Sequence, residues 1–171
     1  MAVMQFDFPA GVCMTQGNHI IVADFGNNRL QEIASLGEHG DARVLGKELL
    51  QGPLAVALTD AEDALIVLED CRRVVVLSRD AKCILRVLLD IAGLPRSTIT
   101  LAVHNDVVTV PRPRSVVLLD VRGTWKRTMS GATLPIFFGV ATDQRGDLWI
   151  SDRRRLIVTS SQPPPWKRER K

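Results

Sequence analysis

The fold of this 171-residue chain is decided by residues 9–33, which read PAGVCMTQGNHIIVADFGNNRLQEI. Three short segments, Gly11–Met14, Ile20–Asp24 and Arg29–Ile33, are separated there by a polar turn and a short loop. Apolar segments of this length are too short for helices and have the length of strands. Gly and Asn in the connections tolerate the tight conformations of a reversal. The stretch therefore predicts three consecutive β-strands.

The same pattern recurs along the chain. Four prolines open four copies at intervals of 44, 42 and 40 residues, and an arginine begins the third segment of each copy 19 or 20 residues later. The prolines are Pro9, Pro53, Pro95 and Pro135, and the arginines are Arg29, Arg73, Arg114 and Arg155. A repeat of about this length that holds three or four strands has the size of one β-propeller blade.

Each later copy predicts its own strands. They are Leu54–Leu58, Leu65–Leu68 and Arg73–Leu77, then Ile99–Val103, Val107–Val110 and Arg114–Leu119, then Phe138–Thr142, Leu148–Ser151 and Arg155–Val158. A fourth strand fits in the first three copies at Arg43–Leu45, Cys83–Leu88 and Thr124–Thr128. The spacing of apolar residues in Ala81–Ala92 also allows a helix, but its place in the repeat favours the outer strand of the second blade.

The sequence thus predicts an all-β fold, a β-propeller of about four blades over residues 1–161. The approximate blade boundaries are 1–46, 47–88, 89–128 and 129–161, and the fourth copy lacks an outer strand because Ser160–Pro165 ends the pattern. The last five residues carry a charge equal to the formal net charge of +3. We therefore expect residues 162–171 to be a disordered basic tail.

The first copy closely resembles the NHL repeat, which opens with Pro-x-Gly-Val, ends a strand in Val-Ala-Asp and continues with Asn-x-Arg, an apolar residue and Gln. The matching residues are Pro9–Val12, Ile21–Asp24 and Asn27–Gln31. The fourth copy is a fair match, and the second and third lack the Asn before the Arg. The resemblance covers about residues 5–160.

The resemblance implies blades of a six-bladed propeller that binds proteins or RNA, often behind RING, B-box and coiled-coil segments in TRIM-NHL ubiquitin ligases. We find no Cys/His cluster and no heptad run, so ligase activity would come from another chain. Three solutions for the missing blades stay open: a longer chain, a second copy of this chain, or four blades that close alone. An open arc would expose the apolar faces of its end blades.

Acidic residues and arginines flank the loop between the second and third strands of three copies. The pairs are Asp24 with Arg29, Asp70 with Arg73, and Asp152 with Arg155. Because each pair spans a tight loop, we expect these residues to form structural contacts within a blade or to its neighbour rather than a ligand site.

The same loops fall on one rim of a propeller and define a candidate binding surface for a protein or RNA. Its residues are Phe25, Asn27, Asn28, Arg72, Arg73, Arg112, Arg114, Arg153 and Arg154. Arginines repeated around one face could bind phosphate or acidic peptide, whereas acids in the same loops could neutralise them. The chain has no Tyr, and Phe25 alone provides an aromatic ring there, which weakens the case for RNA.

The sequence predicts no catalytic residue, metal site or cofactor. His19, His39 and His104 do not recur in register, and the first strand of each copy is almost wholly apolar. Three cysteines without a C-x-x-C pair favour free thiols in a reducing, cytoplasmic environment. No apolar run is long enough to span a membrane, so no membrane association is expected.

We therefore expect a non-catalytic protein-protein interaction module or scaffold built from NHL repeats. Substrate recognition for a ubiquitin ligase supplied by another chain is one form of this role. The alternative is single-stranded RNA binding through the arginine-bearing rim. The expected partner is a protein, with RNA as the other possibility and with missing blades supplied by a homodimer or a longer chain.

Overall fold

Short apolar segments and polar reversals build four antiparallel sheets that follow one another along the chain. The computed structural model describes residues 5–34, 42–70, 73–90, 100–112, 115–130, 139–151 and 156–160. Within these residues, neighbouring strands in each sheet are consecutive in the chain, so each sheet is an up-and-down meander. Meanders of this kind, packed face to face, are the blades of a β-propeller.

The described strands have the following bounds. The first blade contains β1 (Pro9–Met14), β2 (Ile20–Asp24), β3 (Arg29–Ile33) and β4 (Ala42–Leu45), and the second contains β5 (Pro53–Leu58), β6 (Ala64–Glu69), β7 (Arg73–Ser78) and β8 (Ile84–Asp90). The third contains β9 (Ala102–His104), β10 (Val107–Arg112), β11 (Ser115–Asp120) and β12 (Trp125–Ser130), and the fourth contains β13 (Gly139–Thr142), β14 (Asp147–Ser151) and β15 (Leu156–Ser160). A 3-10 turn, Phe25–Asn27, connects β2 to β3.

The predicted all-β propeller is confirmed, and the described part of the segment considered as a helix, residues 81–90, contains a strand instead. That segment contains β8, which pairs antiparallel with β7 through Val75 and Val87. The strands β8 and β12 continue past the expected blade ends at 88 and 128, and the described part of β11 begins at Ser115. Arg114, residue 99 of the third copy's first strand, and residues 162–171 lie outside the described residues.

The blades stack face to face, and apolar residues from successive sheets form three cores. The second strand of blade two shows why: all of β6 is buried, with Leu65 and Val67 packed towards blade one and Ile66 and Leu68 towards blade three. Side chains of a strand alternate between its two faces, so a strand that is buried on both faces reads as a continuous apolar run. A third core joins blades three and four.

The inner strands of blades one and two approach each other closely at Gly11. A Cβ atom at this position would lie 2.7 Å from both the Ala55 Cα and the Leu54 carbonyl oxygen. Backbone atoms cannot move aside as a flexible side chain can. The Gly in the Pro-x-Gly-Val opening of the first copy therefore allows β1 to contact β5.

We expect Gly11→Ala to lower the free energy of unfolding by about 1–3 kcal/mol, because the added methyl group forces β1 away from β5. The matched control is Gly17→Ala in the turn after β1, where the new Cβ would meet only Thr15 Oγ1 at 3.7 Å. Urea unfolding of both variants measures the difference. Equal stability of the two variants would contradict the close approach.

Candidate functional site

The carboxylate of Asp24 binds four donors at the end of β2. It is fully buried; its Oδ1 accepts a hydrogen bond from the Asp7 backbone N–H at 2.7 Å. Its Oδ2 accepts from Asn27 Nδ2 at 2.9 Å, Arg29 Nε at 2.8 Å and Gln31 Nε2 at 2.9 Å. The residues that carry the NHL resemblance therefore converge on one carboxylate, which ties the segment before β1 to the loop after β2.

Asp24 is held in its ionised form. Burial by itself would raise the pKa of this carboxyl, but the hydrogen bonds from Asp7, Arg29, Asn27 and Gln31 outweigh it and lower the pKa below the ordinary value. Asn27 and Arg29 are consequently engaged inside the blade.

Blade two repeats this arrangement with a glutamate. Glu69 ends β6, accepts a hydrogen bond from the Gln51 N–H at 2.8 Å through Oε1, and pairs through Oε2 with Arg73 Nε. Gln51 precedes Pro53 by two residues, as Asp7 precedes Pro9. The expected pairing of Asp70 with Arg73 is wrong: β6 extends to Glu69, which stands opposite Arg73, and Asp70 is an exposed loop residue.

Blade three has no acid at this position. The residue that ends β10 is Arg112, opposite Ser115 of β11, where blades one and two have an acid opposite an arginine. Arg112 is half-buried and makes no ion pair with the described residues. The predicted pair in blade four, Asp152 with Arg155, lies outside the described residues.

The described rim residues connect blade one to blade two. Asn28 Oδ1 accepts a hydrogen bond from the Gly52 N–H at 2.7 Å, and a Cβ at Gly52 would lie 2.9 Å from the Phe25 ring. A shallow cavity of about 310 Å³ lies beside them. The other rim arginines, Arg72, Arg114, Arg153 and Arg154, lie outside the described residues. Where it is described, the rim is thus occupied largely by internal contacts, and Gly52 and Gln51 were not identified from the sequence.

A second and larger cavity opens at the opposite end of the first two blades. This end carries the turns that connect the first strand to the second and the third strand to the fourth. We call this cavity the turn-face cleft; its volume is about 570 Å³, and it is lined by His19, Glu32, Ala34, Arg43, Arg79 and Asp80. Glu32 lies in β3, and Arg79 comes from the turn after β7, so the cleft crosses the blade boundary. Sequence reasoning did not identify this cluster.

The outer faces of the first and last blades expose apolar side chains. Several equivalent positions of the interior blades are buried. Val12 and Met14 on blade one are 67% and 65% exposed, and Leu156 and Val158 on blade four are 62% and 50% exposed. We define these two surfaces, with Val44 and Trp149, as the outer faces of blades one and four.

In the described residues, no group of three or more His, Cys, Asp and Glu could hold a metal ion. Burial raises the pKa of the Cys13 thiol to about 12, which leaves it protonated and unreactive at neutral pH. No helix in the described ranges has the length and hydropathy needed to cross a membrane.

Comparisons with known proteins agree with this architecture. Residues 6–33 match the family model of the NHL repeat, and the match carries no information about TRIM-NHL ligases. The search of curated protein sequences found no match. The chain therefore carries one NHL repeat that a family model detects, in the first blade of its propeller.

Many solved structures resemble the chain. A chain of the nidogen/laminin complex has 13% identity and a TM-score of 0.64, with 89% of this chain and 75% of that chain covered. Virginiamycin B lyase from Staphylococcus aureus has 13% identity, a TM-score of 0.63 and coverages of 91% and 56%. Glutaminyl cyclase from Myxococcus xanthus has 13% identity, a TM-score of 0.62 and coverages of 90% and 74%. At these identities the likeness shows the fold alone, and the chain spans little more than half of the lyase.

We expect Asp24→Asn to lower the free energy of unfolding at pH 7 by about 2 kcal/mol, because Arg29 loses its charged partner. The folded-state pKa of Asp24 is lowered, so its contribution is complete above the ordinary pKa near 4 and is lost as the pH falls through the lowered value. The difference between wild type and variant should therefore shrink on acidification. Urea unfolding at pH 7 and at about pH 3 measures it.

The matched control is Asp90→Asn at the exposed end of β8. We expect this variant to remain within about 0.5 kcal/mol of the wild type. A difference between Asp24→Asn and wild type that stays constant from neutral to acidic pH would contradict the assigned role of the charge.

Proposed function

We propose that this chain, a four-bladed β-propeller arc with an NHL repeat at residues 6–33, is a non-catalytic protein-interaction module. The observation that carries the proposal is the exposed apolar surface on the outer faces of blades one and four. Contiguous exposed apolar surface on a folded protein marks a site where another molecule binds.

The exposed positions of the outer faces are equivalent to positions that pack between blades in the interior of the chain. Leu156 and Val158 correspond in register to Val116 and Leu118 of blade three, which are buried against blade four. Val12 corresponds to Val56 of blade two, which is buried against blade one. Each outer face is therefore one half of the interface that joins neighbouring blades three times within the chain.

A partner that fits these faces is another apolar β-sheet, packed as a further blade. Every copy of the chain carries both halves of the interface, which supports a second copy of the chain as the partner. Covering one large apolar side chain contributes about 1.5–3 kcal/mol, and each face has several. The association entropy offsets part of this gain, so we expect an affinity at which the fraction of dimer depends on protein concentration.

Substrate recognition for a ubiquitin ligase on another chain is a narrower form of the same role. It rests on the sequence resemblance, and the described residues add no argument for it. One of the similar structures is a chain of a complex of two proteins, nidogen and laminin, and at 13% identity it shows the fold alone. Others are enzymes, a lyase and a cyclase, and at 13% identity we transfer no activity from them.

Single-stranded RNA binding through the rim remains the alternative function. The described part of the rim gives it little support, because Arg73 is paired with Glu69 and Phe25 packs beside Gly52. Stacking of bases needs an accessible aromatic face.

We expect the chain to self-associate with rising concentration, as measured by sedimentation velocity. Val158→Glu places a charge on the outer face of blade four and should abolish association without lowering the thermal stability of the monomer. Val12→Glu should do the same from blade one. The matched control is Leu85→Glu, an exposed apolar residue of β8 that belongs to neither outer face.

Mixing the two interface variants separates a head-to-tail contact from general stickiness. A mixture of Val158→Glu and Val12→Glu retains one intact pair of faces, so we expect it to form a heterodimer although neither variant associates alone. A wild-type chain that stays monomeric at every concentration, or an equal effect of Leu85→Glu, would overturn the proposal.

For the RNA alternative, fluorescence anisotropy with a labelled oligouridylate is the direct measurement. Because four of the five described rim residues, all except Arg112, are engaged internally, we expect no binding by the wild-type chain at about 0.15 M salt. Binding that weakens steeply with salt and is lost when Arg72 and Arg153 become Glu would instead establish the alternative. Binding that disappears on deletion of residues 163–171 would assign it to the tail.

A further inference from the structure

The buried carboxylate of Glu32 departs from the repeat. Its side chain is 8% exposed, and the register places it where the other blades have Val76, Leu118 and Val158. Val76 and Leu118 belong to the cores between blades. An ionised carboxylate costs free energy to bury where an apolar residue would serve the fold. The packing of the blades therefore does not account for an acid at position 32.

Three basic side chains surround this one carboxylate. Arg79 of blade two lies with its Nη2 2.6 Å from Glu32 Oε1, and His19 Nδ1 lies 3.5 Å from the same oxygen. Arg43 Nη1 lies 3.8 Å from Oε2. Burial by itself would raise the pKa of Glu32, but the hydrogen bond and charge of Arg79, with His19 and Arg43, lower it below its ordinary value. Glu32 is thus a fixed negative charge inside a basic cluster.

Two arginines, Arg43 and Arg79, line the turn-face cleft together with two acids, Glu32 and Asp80, and Asp80 is paired with a side chain outside this lining. Asp80, the other acid that lines the turn-face cleft, lies 3.3 Å from Lys82 Nζ and accepts hydrogen bonds from Ser78 Oγ and the Lys82 N–H. Glu32 neutralises Arg79. Arg43 lies at a longer distance from Glu32 than Arg79 does; its side chain is 56% exposed, and it lines the cleft together with Arg79.

Glu32 also fixes the direction of Arg79. One terminal nitrogen of the guanidinium is held by the carboxylate, and within the described ranges no second acceptor contacts the remaining N–H groups of the planar fork. An arginine oriented by a buried acid is pre-organised to bind an oxyanion, because less side-chain entropy is lost when the ligand binds.

We propose that the turn-face cleft binds an oxyanion, the phosphate or carboxylate group of a small ligand or of a peptide side chain, on the guanidinium groups of Arg79 and Arg43. Glu32 is the positioning residue, and His19 lines the entrance. The cleft volume of about 570 Å³ lies within the range of small-ligand sites. This site is independent of the outer faces and does not rest on the proposed function.

The test is a titration of the full chain followed by two-dimensional amide NMR, with inorganic phosphate, N-acetyl-phosphoserine amide and N-acetyl-glutamate amide as separate probes. We expect saturable shifts at Ala34 and Arg79. Stronger binding of inorganic phosphate would identify a free anion as the ligand, and stronger binding of either capped amino acid would identify a peptide side chain. The absence of saturable binding of all three probes would overturn the proposal.

Variants locate the site. Arg79→Gln and Arg43→Gln should each weaken binding about tenfold, whereas Arg79→Lys should retain part of the affinity because it keeps the charge but not the fork. The matched control is Lys82→Gln, which removes a nearby charge from a side chain that does not line the cleft. Equal weakening by all of these variants would reduce the site to nonspecific surface charge and overturn it.

Glu32→Val separates positioning from structure, because valine is the residue that blade two has at this position. We expect the variant to unfold at the same or a higher temperature than the wild type, while oxyanion binding falls about tenfold. Unchanged binding in a stable Glu32→Val variant would refute the positioning role. If Glu32→Val fails to fold, Arg79→Lys and Arg43→Gln still test the cleft.

Discussion

The middle strands of the interior blades are apolar on both faces, and the stacking of the sheets follows from the need to bury them. The fully buried β6 illustrates this constraint. Packing against a neighbour on each side satisfies the two interior blades, and the close approach at Gly11 brings the inner strands together. The same constraint makes the end blades incomplete, because each has one apolar face without a neighbour among the described strands.

The buried acid at the end of the second strand fixes the conformation of blades one and two. Asp24 and Glu69 each bind the backbone two residues before the opening proline and the arginine that begins the third strand. One carboxylate therefore fixes both the path of the chain into the blade and the loop between its second and third strands. Blade three has Arg112 at the equivalent position. The apolar cores therefore stabilise that blade without a buried carboxylate there.

The strands and their order can be predicted from the sequence, because they depend on short local patterns of residues. Short Val-rich segments, polar reversals and a regular proline-to-arginine spacing determine the strands and their order. The predicted pairing of Asp70 with Arg73 is wrong because the last residue of a strand cannot be located to within one position from composition alone. The turn-face cleft could not be predicted because Glu32 and Arg79 are distant in the sequence, and only the stacking of two blades brings them into contact.

Differences between the blades separate residues that serve the fold from residues that need another explanation. Asp24 and Asn28, which the sequence places beside or on a candidate binding rim, have internal partners in the structure. Glu32 shows the opposite behaviour. The other blades have an apolar residue at this position, and blade one has a charged one. Val158 is apolar, as the repeat requires at its position, but none of the described strands packs over it. The departure at Glu32 thus supports the proposed oxyanion site, and the uncovered position of Val158 supports the proposed association.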